Sequence, residues 1–323
     1  MSIRGSVNLI PEAPVRHMVE LAMEAERLGF ERCWVYDEGL ATRDVYVTMT
    51  AIATRTRSIK IGTGITNPYT RHAATTAAAI ASIYELSNGR AFLGLGAGGS
   101  LTLGPLRTDR SHPLRAVREL LTACRALFSG DPVTIEGETV VLDNATLGFA
   151  DPATEIWLAG RGPKMLQMGG ALANGVMLDF LHKETMGEYV DLVRAGAATT
   201  GNNPAICYST MIVTSNAELE AVRPHMTYRL IDSPPHVRDL LKITDADIEA
   251  IRKAMPGGLH EAAQYVREEW VHPFVISGSA KECGEELARL CEQHRIDEFL
   301  LPVLELHQAM ETMQTFAEVL AST

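Results

Sequence analysis

Short apolar runs alternate with longer segments of helical periodicity along most of the chain. The segment 14–29 is typical of the longer kind, because Val15, Met18, Ala22 and Leu28 fall on one face and Gly29 ends the pattern. Apolar runs predict strands at 3–9, 32–36, 59–65, 91–95, 155–159, 175–178, 206–213 and 298–301. Strands that alternate with helices in this way predict an α/β fold, a (β/α)8 TIM barrel.

Two segments break the alternation. Residues 130–150 contain two β-rich runs on either side of Gly137, which predicts a surface hairpin. Residues 216–270 have a mostly helical pattern and predict a second insertion, which we expect to form a wall or lid at the carboxyl rim of the barrel. No internal repeat or low-complexity linker divides the chain, so we expect residues 1–323 to form a single domain.

The carboxyl ends of the predicted strands carry the candidate site, because active sites of such barrels lie there. The candidate catalytic residues are Asn8, Asp37 and Glu38. The candidate cofactor-binding residues are Gly64, Ile65, Thr66, Asn67, Gly96, Gly98, Gly99, Gly160, Arg161, Gly162, Pro163 and Asp179. Glycine clusters can simply form tight turns. Two neighbouring strands that both end in glycine favour a backbone that approaches a bulky prosthetic group, and such a group brings its own reactivity.

The turn from Gly160 to Pro163 is a candidate phosphate site. Pro163 suits the first turn of a helix, and the amides near Gly160 and Gly162 would face an anion beside Arg161. An ordinary strand-to-helix turn is the alternative. The arginine and the positive end of the helix favour the phosphate interpretation.

Charge and composition narrow the class of partner. The chain has 40 acidic and 29 basic side chains and a net charge of −11, which argues against nucleic acids and anionic membranes as partners. It does not exclude a phosphorylated ligand that is bound locally. Hydrophobic residues make up 46% of the chain, enough for a large core. We therefore expect a small-molecule substrate.

The sequence also predicts a cytoplasmic protein without a metal site. No apolar run approaches the ~20 residues that cross a bilayer, and the N-terminus lacks the apolar centre of a secretory signal. The five cysteines are scattered without metal-ligand spacing, which is typical of reduced thiols in the cytosol.

Two stretches resemble a known family. GTGITNPYTRHA (62–73) and ELSNGRAFLGLGAG (85–98) are similar to the bacterial luciferase-like superfamily, and within it to the deazaflavin-dependent methylenetetrahydromethanopterin reductases. The resemblance extends over the whole chain and includes the Ser-Pro-Pro segment 233–235. It implies a non-proline cis peptide at Gly64–Ile65 behind the cofactor ring, and a Gly-Pro turn that holds the cofactor tail. It also implies a homodimer or higher homo-oligomer.

The chain departs from that branch at two of its candidate catalytic residues. The branch commonly has Asp-His where this chain has Asp37-Glu38, and an acidic residue where this chain has Asn8. Both changes leave the identity of the substrate open. Asp37 matches the family residue, so we favour it over Glu38 as the group that moves a proton.

Three functions are compatible with these observations. The resemblance favours an oxidoreductase that transfers a hydride to or from a small organic substrate through the deazaflavin coenzyme F420. An FMN-dependent luciferase-like monooxygenase is the first alternative, because the departures at Asn8 and Glu38 weaken the match to the pterin reductases. A non-catalytic flavin-binding protein is the second, because a fold does not determine function.

Overall fold

A closed barrel of eight parallel strands forms the centre of the molecule, as a computed structural model of the chain describes it for residues 3–323. The strands are β1 (Arg4–Leu9), β2 (Arg32–Val35), β3 (Lys60–Thr63), β4 (Ala91–Leu95), β5 (Ile156–Ala159), β6 (Gly175–Asp179), β7 (Ala205–Ser209) and β8 (Glu298–Val303). They pair in chain order, and β8 closes the barrel against β1. The predicted (β/α)8 fold is confirmed.

Helices surround the barrel and follow the strands. The main ones are Val15–Arg27, Val45–Ala53, Ala73–Leu86, Pro113–Phe128, Pro163–Leu172, Met186–Thr200, Ala280–His294 and Ala309–Ala321. Asp44 caps the second of them, because its carboxylate accepts a hydrogen bond from the Val47 amide at 2.9 Å. In Val15–Arg27 the buried residues include Met18, Leu21 and Ala22, so one apolar face packs on the strands.

Aromatic side chains fill the middle of the barrel. Trp34 lies edge-on to both Phe92 and Trp157, with ring centroids 4.6 Å and 5.6 Å apart, and Met177 and Leu300 complete the cluster. A barrel of this size is a packed core rather than a channel. A ligand can therefore reach only the rims of the barrel.

An ion-pair network lies below this cluster, at the amino ends of the strands. Arg32 is 2% exposed and donates hydrogen bonds to Glu298, which is fully buried, and to Glu155 at 2.9 Å. Ser6 donates to Glu298 at 2.5 Å, and Lys60 donates to Glu155 at 2.8 Å. Burial raises the pKa of Glu298, whereas Arg32 opposes that shift.

Both predicted insertions are present. The strands Val133–Glu136 and Val141–Ala145 form an antiparallel hairpin outside the barrel. Between β7 and β8 the chain forms the helices Asn216–Ile231, Pro235–Leu241, Asp245–Ala254 and Leu259–Ala263. These helices share a separate apolar cluster that includes Met226, Leu230, Ile251 and Trp270. We refer to residues 216–270 as the helical insertion.

The predicted strand 206–213 is wrong in one respect, because it consists of two pieces. The barrel strand β7 ends at Ser209, and Ile212–Val213 instead pairs in parallel with Ile276–Ser277 outside the barrel. The Thr210 hydroxyl bonds the Phe274 carbonyl at the point of divergence. A continuous apolar run does not reveal this change of partner, since both pieces are buried.

Glu119 attaches the hairpin to the barrel. Its carboxylate accepts hydrogen bonds from the amides of Glu138, Thr139 and Val140 and from the Thr139 hydroxyl, at 2.6–3.2 Å. Although partial burial opposes the shift, these hydrogen bonds lower the Glu119 pKa from 4.5 to about 2. The carboxylate therefore stabilises the fold fully above pH 4.5, and this stabilisation is lost as the pH falls towards 2.

The Glu119→Gln variant tests this attachment. It is expected to lower the free energy of unfolding by about 1 kcal/mol at neutral pH, because an amide oxygen replaces a charged acceptor. The difference from wild type should shrink as the pH falls from 4.5 towards 2. Urea unfolding at several pH values measures it. Glu136→Gln is the control, since the Glu136 side chain is exposed on the same hairpin and makes no hydrogen bond or ion pair with the described residues. A pH-independent difference would contradict the assignment.

Candidate functional site

A cavity of about 420 Å³ opens at the carboxyl rim of the barrel. Most of the predicted site residues line it: Asp37, Glu38, Gly64, Ile65, Asn67, Gly98, Gly99, Gly160, Arg161, Gly162 and Asp179. We call it the rim cavity. Residues from five different strand ends meet here because parallel strands of a barrel all end at one rim.

The Gly64–Ile65 peptide bond forms one side of the rim cavity and is cis, as the family resemblance implies. Asn8 lies behind it, 3% exposed, and its Nδ2 donates a hydrogen bond to the Gly64 carbonyl at 3.0 Å. A methyl group on Gly64 would lie 2.6 Å from the Asn8 Oδ1 atom, so a side chain does not fit at this position. Asn8 thus supports the backbone from below and does not line the cavity.

Three other predicted residues also lie outside the rim cavity. Thr66 is fully buried and donates a hydrogen bond to the Asp37 carboxylate at 2.7 Å. Gly96 leaves room for Ile65, since a methyl group on Gly96 would lie 2.2 Å from the Ile65 Cδ1 atom. Pro163 lines an adjoining cavity instead. Thr66 and Gly96 act on the cavity through the neighbours that they hold or accommodate.

Asp37 and Glu38 present two carboxyl groups to the rim cavity. Burial raises the pKa of Asp37, while its hydrogen bonds from Thr66 and the Gly39 amide oppose the shift. Burial also raises the pKa of Glu38, and the hydrogen bond from the Thr102 hydroxyl at 3.0 Å opposes it. Each carboxyl keeps its proton to a higher pH than it would in water. The pair can therefore donate as well as accept protons.

The rim cavity also contains a cation, the Arg161 guanidinium. Arg161 lies between β5 and the helix Pro163–Leu172, and its guanidinium makes no hydrogen bond or ion pair with any residue that the structure describes. Although Arg161 is exposed to solvent, partial desolvation by the cavity walls and the nearby Arg229 lower its pKa, and Asp179 and Asp232 oppose the shift. The group remains a cation. An unpaired guanidinium beside the start of a helix suits an anionic ligand.

Asp179 lines the rim cavity but is engaged by the helical insertion. Arg229 donates to the Asp179 carboxylate at 2.6 Å and to its backbone carbonyl at 3.2 Å. The Arg229 guanidinium also stacks over the Phe180 ring, 5.2 Å from its centroid. This contact ties the insertion to the end of β6 and neutralises the carboxylate.

Two further cavities adjoin the rim cavity. The insertion chamber, about 840 Å³, lies between the rim and the helical insertion, and its lining includes Glu38, Arg110, Tyr228 and Met255. The side pocket, about 470 Å³, lies beyond the Gly162–Pro163 turn and is lined by His182, Tyr189 and Arg229 among others.

Sequence reasoning missed several residues of the rim cavity: Tyr36, Ala97, Thr102, Arg110, Pro113, Ala159 and Met165. Tyr36 directly precedes Asp37, and its position at a strand end could have identified it. Thr102 and Arg110 come from the long connection after β4, where no local pattern marks them.

Two other properties bear on the class of protein. No helix within residues 3–323 is long and apolar enough to cross a membrane. Within the same residues, no three His, Cys, Asp or Glu side chains lie together as metal ligands would.

The chain is similar to known reductases in sequence. Residues 1–298 match the model of the luciferase-like monooxygenase family. A 5,10-methylenetetrahydromethanopterin reductase from Methanolobus tindarius is 37% identical over 88% of this chain and 90% of its own length. The enzyme of the same name from Archaeoglobus fulgidus is 30% identical over 89% of this chain and 90% of its own length.

Solved structures share the fold. The coenzyme F420-dependent tetrahydromethanopterin reductase from Methanopyrus kandleri superposes with a TM-score of 0.86 at 24% identity and 97% coverage of both chains. An F420-dependent secondary alcohol dehydrogenase gives a TM-score of 0.79 at 19% identity, over 100% of this chain and 99% of the other. The match over most of the chain, together with its full-length relatives, shows that this protein belongs to the luciferase-like monooxygenase family.

Proposed function

We propose that the protein is a coenzyme F420-dependent oxidoreductase that transfers a hydride between this deazaflavin and a small organic substrate. The observation that carries the proposal is the rim cavity, which is bounded by the Gly64–Ile65 peptide at one side and by the unpaired Arg161 at another. The methylenetetrahydromethanopterin reductases that match the chain over most of its length support the deazaflavin over the FMN alternative.

The residues of the rim cavity fit a flat ring that carries a phosphate-bearing chain. Gly64 and Ile65 would cover one face of the ring, and Asn8 holds that backbone in place through the Gly64 carbonyl. When bound, the deazaflavin supplies the carbon that donates or accepts the hydride. With one face covered in this way, the substrate would approach the other face, since near-attack geometry requires a separation of ~3–3.5 Å.

Asp37 and Glu38 would handle the proton that accompanies the hydride. Hydride addition to a carbon–oxygen or carbon–nitrogen double bond leaves extra electron density on the heteroatom, so a nearby acid lowers the barrier. Asp37 is oriented by Thr66, whereas Glu38 also holds Thr102 in the connection after β4. We assign the proton transfer to Asp37, the residue that matches the family, and give Glu38 a supporting role.

Gly160, Arg161, Gly162 and Pro163 would hold the cofactor phosphate. The Arg161→Ala variant is expected to weaken cofactor binding by about 1.5–3 kcal/mol, the value of a hydrogen bond between charged groups. Fluorescence titration of the purified protein with F420 measures the loss. Lys164→Ala is the matched control, because this neighbouring cation lines none of the three connected cavities. An unchanged dissociation constant for Arg161→Ala would move the phosphate site elsewhere on the rim.

The proposal includes a homodimer in a reducing, cytoplasmic setting. Val47 is 59% exposed on the helix Val45–Ala53, and the neighbouring helix Ala73–Leu86 is rich in alanine, which permits close packing between copies. The five cysteines are buried and unpaired, in keeping with reduced thiols. Sedimentation equilibrium tests the dimer, and a monomer at micromolar concentration would contradict it.

A further inference from the structure

Arg110 and Arg161 are shared by three adjoining cavities, and we call the region that they line the junction. Both line the rim cavity, the insertion chamber and the side pocket. They come from different parts of the rim, since Arg110 follows β4 and Arg161 follows β5. A cavity lined by two cations favours an anionic ligand, because the anion offsets their mutual repulsion.

Neither of these two arginines is neutralised within the described residues. Arg110 makes one hydrogen bond, to the Gly98 carbonyl at 3.1 Å, and Arg161 makes none. The other two arginines that line these cavities are paired: Arg229 with Asp179 at 2.6 Å and Arg252 with Glu249 at 3.3 Å. The unpaired positive charge of the junction therefore belongs to Arg110 and Arg161.

The side pocket gives an independent indication of a polar ligand. His182 lines it, is only 5% exposed, and its Nδ1 atom has no hydrogen-bond partner among the described residues. The Phe274 ring lies edge-on to the imidazole, with centroids 5.5 Å apart, and burial lowers the His182 pKa. A buried nitrogen without a partner is costly unless a ligand or water satisfies it. This pocket also contains Pro163, at the start of the ten-residue helix that follows Arg161.

We propose that Arg110 is a second phosphate-binding residue. Arg110, in the connection after β4, and Arg161, in the connection after β5, would bind the same anionic phosphate ester. This inference rests on the proposed function, in which that ester is the phosphodiester of F420. The two guanidinium groups would contact different oxygens of one phosphate, an arrangement that their planar donor geometry favours.

The connection that carries Arg110 lies at the surface of the molecule. Beyond Leu103 it is largely exposed, and its links to the rest of the molecule include the hydrogen bond from the Tyr69 hydroxyl to the Ser111 carbonyl at 3.0 Å. Arg107 and His112 adopt left-handed backbone angles, with φ of 52° and 45°. In the proposed complex, Arg110 would exchange its single hydrogen bond, to the Gly98 carbonyl, for one to a phosphate oxygen.

The Arg110→Ala variant tests the inference with two ligands. We expect it to weaken F420 binding by about 10- to 100-fold, because it removes one charge-assisted contact. The affinity of the same variant for the ribityl deazaflavin without the phosphate should equal that of the wild-type protein. Arg107→Ala is the matched control, since it removes the same charge three residues earlier from a side chain that lines none of the three cavities.

A double-variant cycle tests whether the two arginines hold the same group. If they do, Arg110→Ala combined with Arg161→Ala should lose less than the product of the single losses, because the first change already releases the phosphate. Equal losses for both ligands would overturn the inference, since Arg110 would then act on the ring or the fold. Unchanged F420 binding would also overturn it.

A different measurement, the cofactor preference of the wild-type protein, shows whether the proposed function fails. It fails if the wild-type protein binds FMN and not F420. The Arg110 test then runs unchanged with FMN and riboflavin, which differ by the phosphate alone. Loss of FMN affinity with riboflavin affinity retained would still support Arg110 as a phosphate-binding residue.

Discussion

Replacing Asp37 by asparagine is expected to lower the turnover number about a hundredfold or more while cofactor affinity is retained. The carboxyl lines the rim cavity, is oriented by Thr66 at 2.7 Å, and has a pKa that burial raises. Asparagine keeps the shape and can accept the Thr66 hydrogen bond, but it carries no transferable proton. The assay follows oxidation of reduced F420 with methylenetetrahydromethanopterin, the substrate in the names of the sequence relatives.

The pH dependence of the same assay follows from the sign of the shift. In the proposed role of Asp37, reduction of the substrate needs the protonated carboxyl, and the raised pKa keeps that form populated at a higher pH than for an exposed aspartate. The rate should therefore fall as the pH rises through this pKa, and the Asp37→Asn variant should lose that dependence. Glu38→Gln is the matched comparison and should retain it. If Glu38→Gln loses the pH dependence and Asp37→Asn retains it, the proton transfer would be assigned to Glu38 instead.

Replacing Arg32 by alanine is expected to lower the free energy of unfolding by about 3–5 kcal/mol, because it leaves a buried carboxylate unpaired. This change affects Glu298 directly. Its carboxylate is completely buried and would keep only the hydrogen bond from Ser6. Arg32 also lies over the Trp157 ring, 4.6 Å from its centroid, so some packing is lost as well.

A paired replacement separates the charge from the packing. The double variant Arg32→Met with Glu298→Leu removes both charges and keeps apolar volume, and it should recover most of the stability that the single variant loses. Urea unfolding of the three proteins gives the comparison. A loss below about 1 kcal/mol for Arg32→Ala would show that the network is solvated more than its burial indicates.

The barrel follows from local patterns in the sequence. Most strands contain a short apolar run buried on both faces, as in the five consecutive buried residues of Ala91–Leu95. The residues that follow each strand lie at the carboxyl rim, because the parallel strands of a barrel all end there. For this reason Asp37, Gly64 and Arg161 could be placed in the candidate site. The end of β7 could not be predicted, because Ile212–Val213 is apolar but pairs with a segment more than sixty residues away.

The depth of each residue at the rim depends on contacts that are distant in sequence. Asn8 lies at a strand end, yet its hydrogen bond to Gly64 places it behind the cavity wall. Arg229 reaches Asp179 from the helical insertion, fifty residues further along the chain. Arg110 lies in an exposed polar connection with no periodic pattern. Such residues are recognised only when the tertiary fold brings them to one cavity.

The affinity of the purified protein for F420 and for FMN, measured side by side, tests the central claim most directly. The proposed function predicts that F420 binds tightly, that FMN binds at least about tenfold more weakly, and that Arg161→Ala weakens F420 binding by the ~1.5–3 kcal/mol of a charge-assisted hydrogen bond. Tight binding of FMN with oxygen consumption, and no measurable binding of F420, would contradict it in favour of a flavin-dependent monooxygenase.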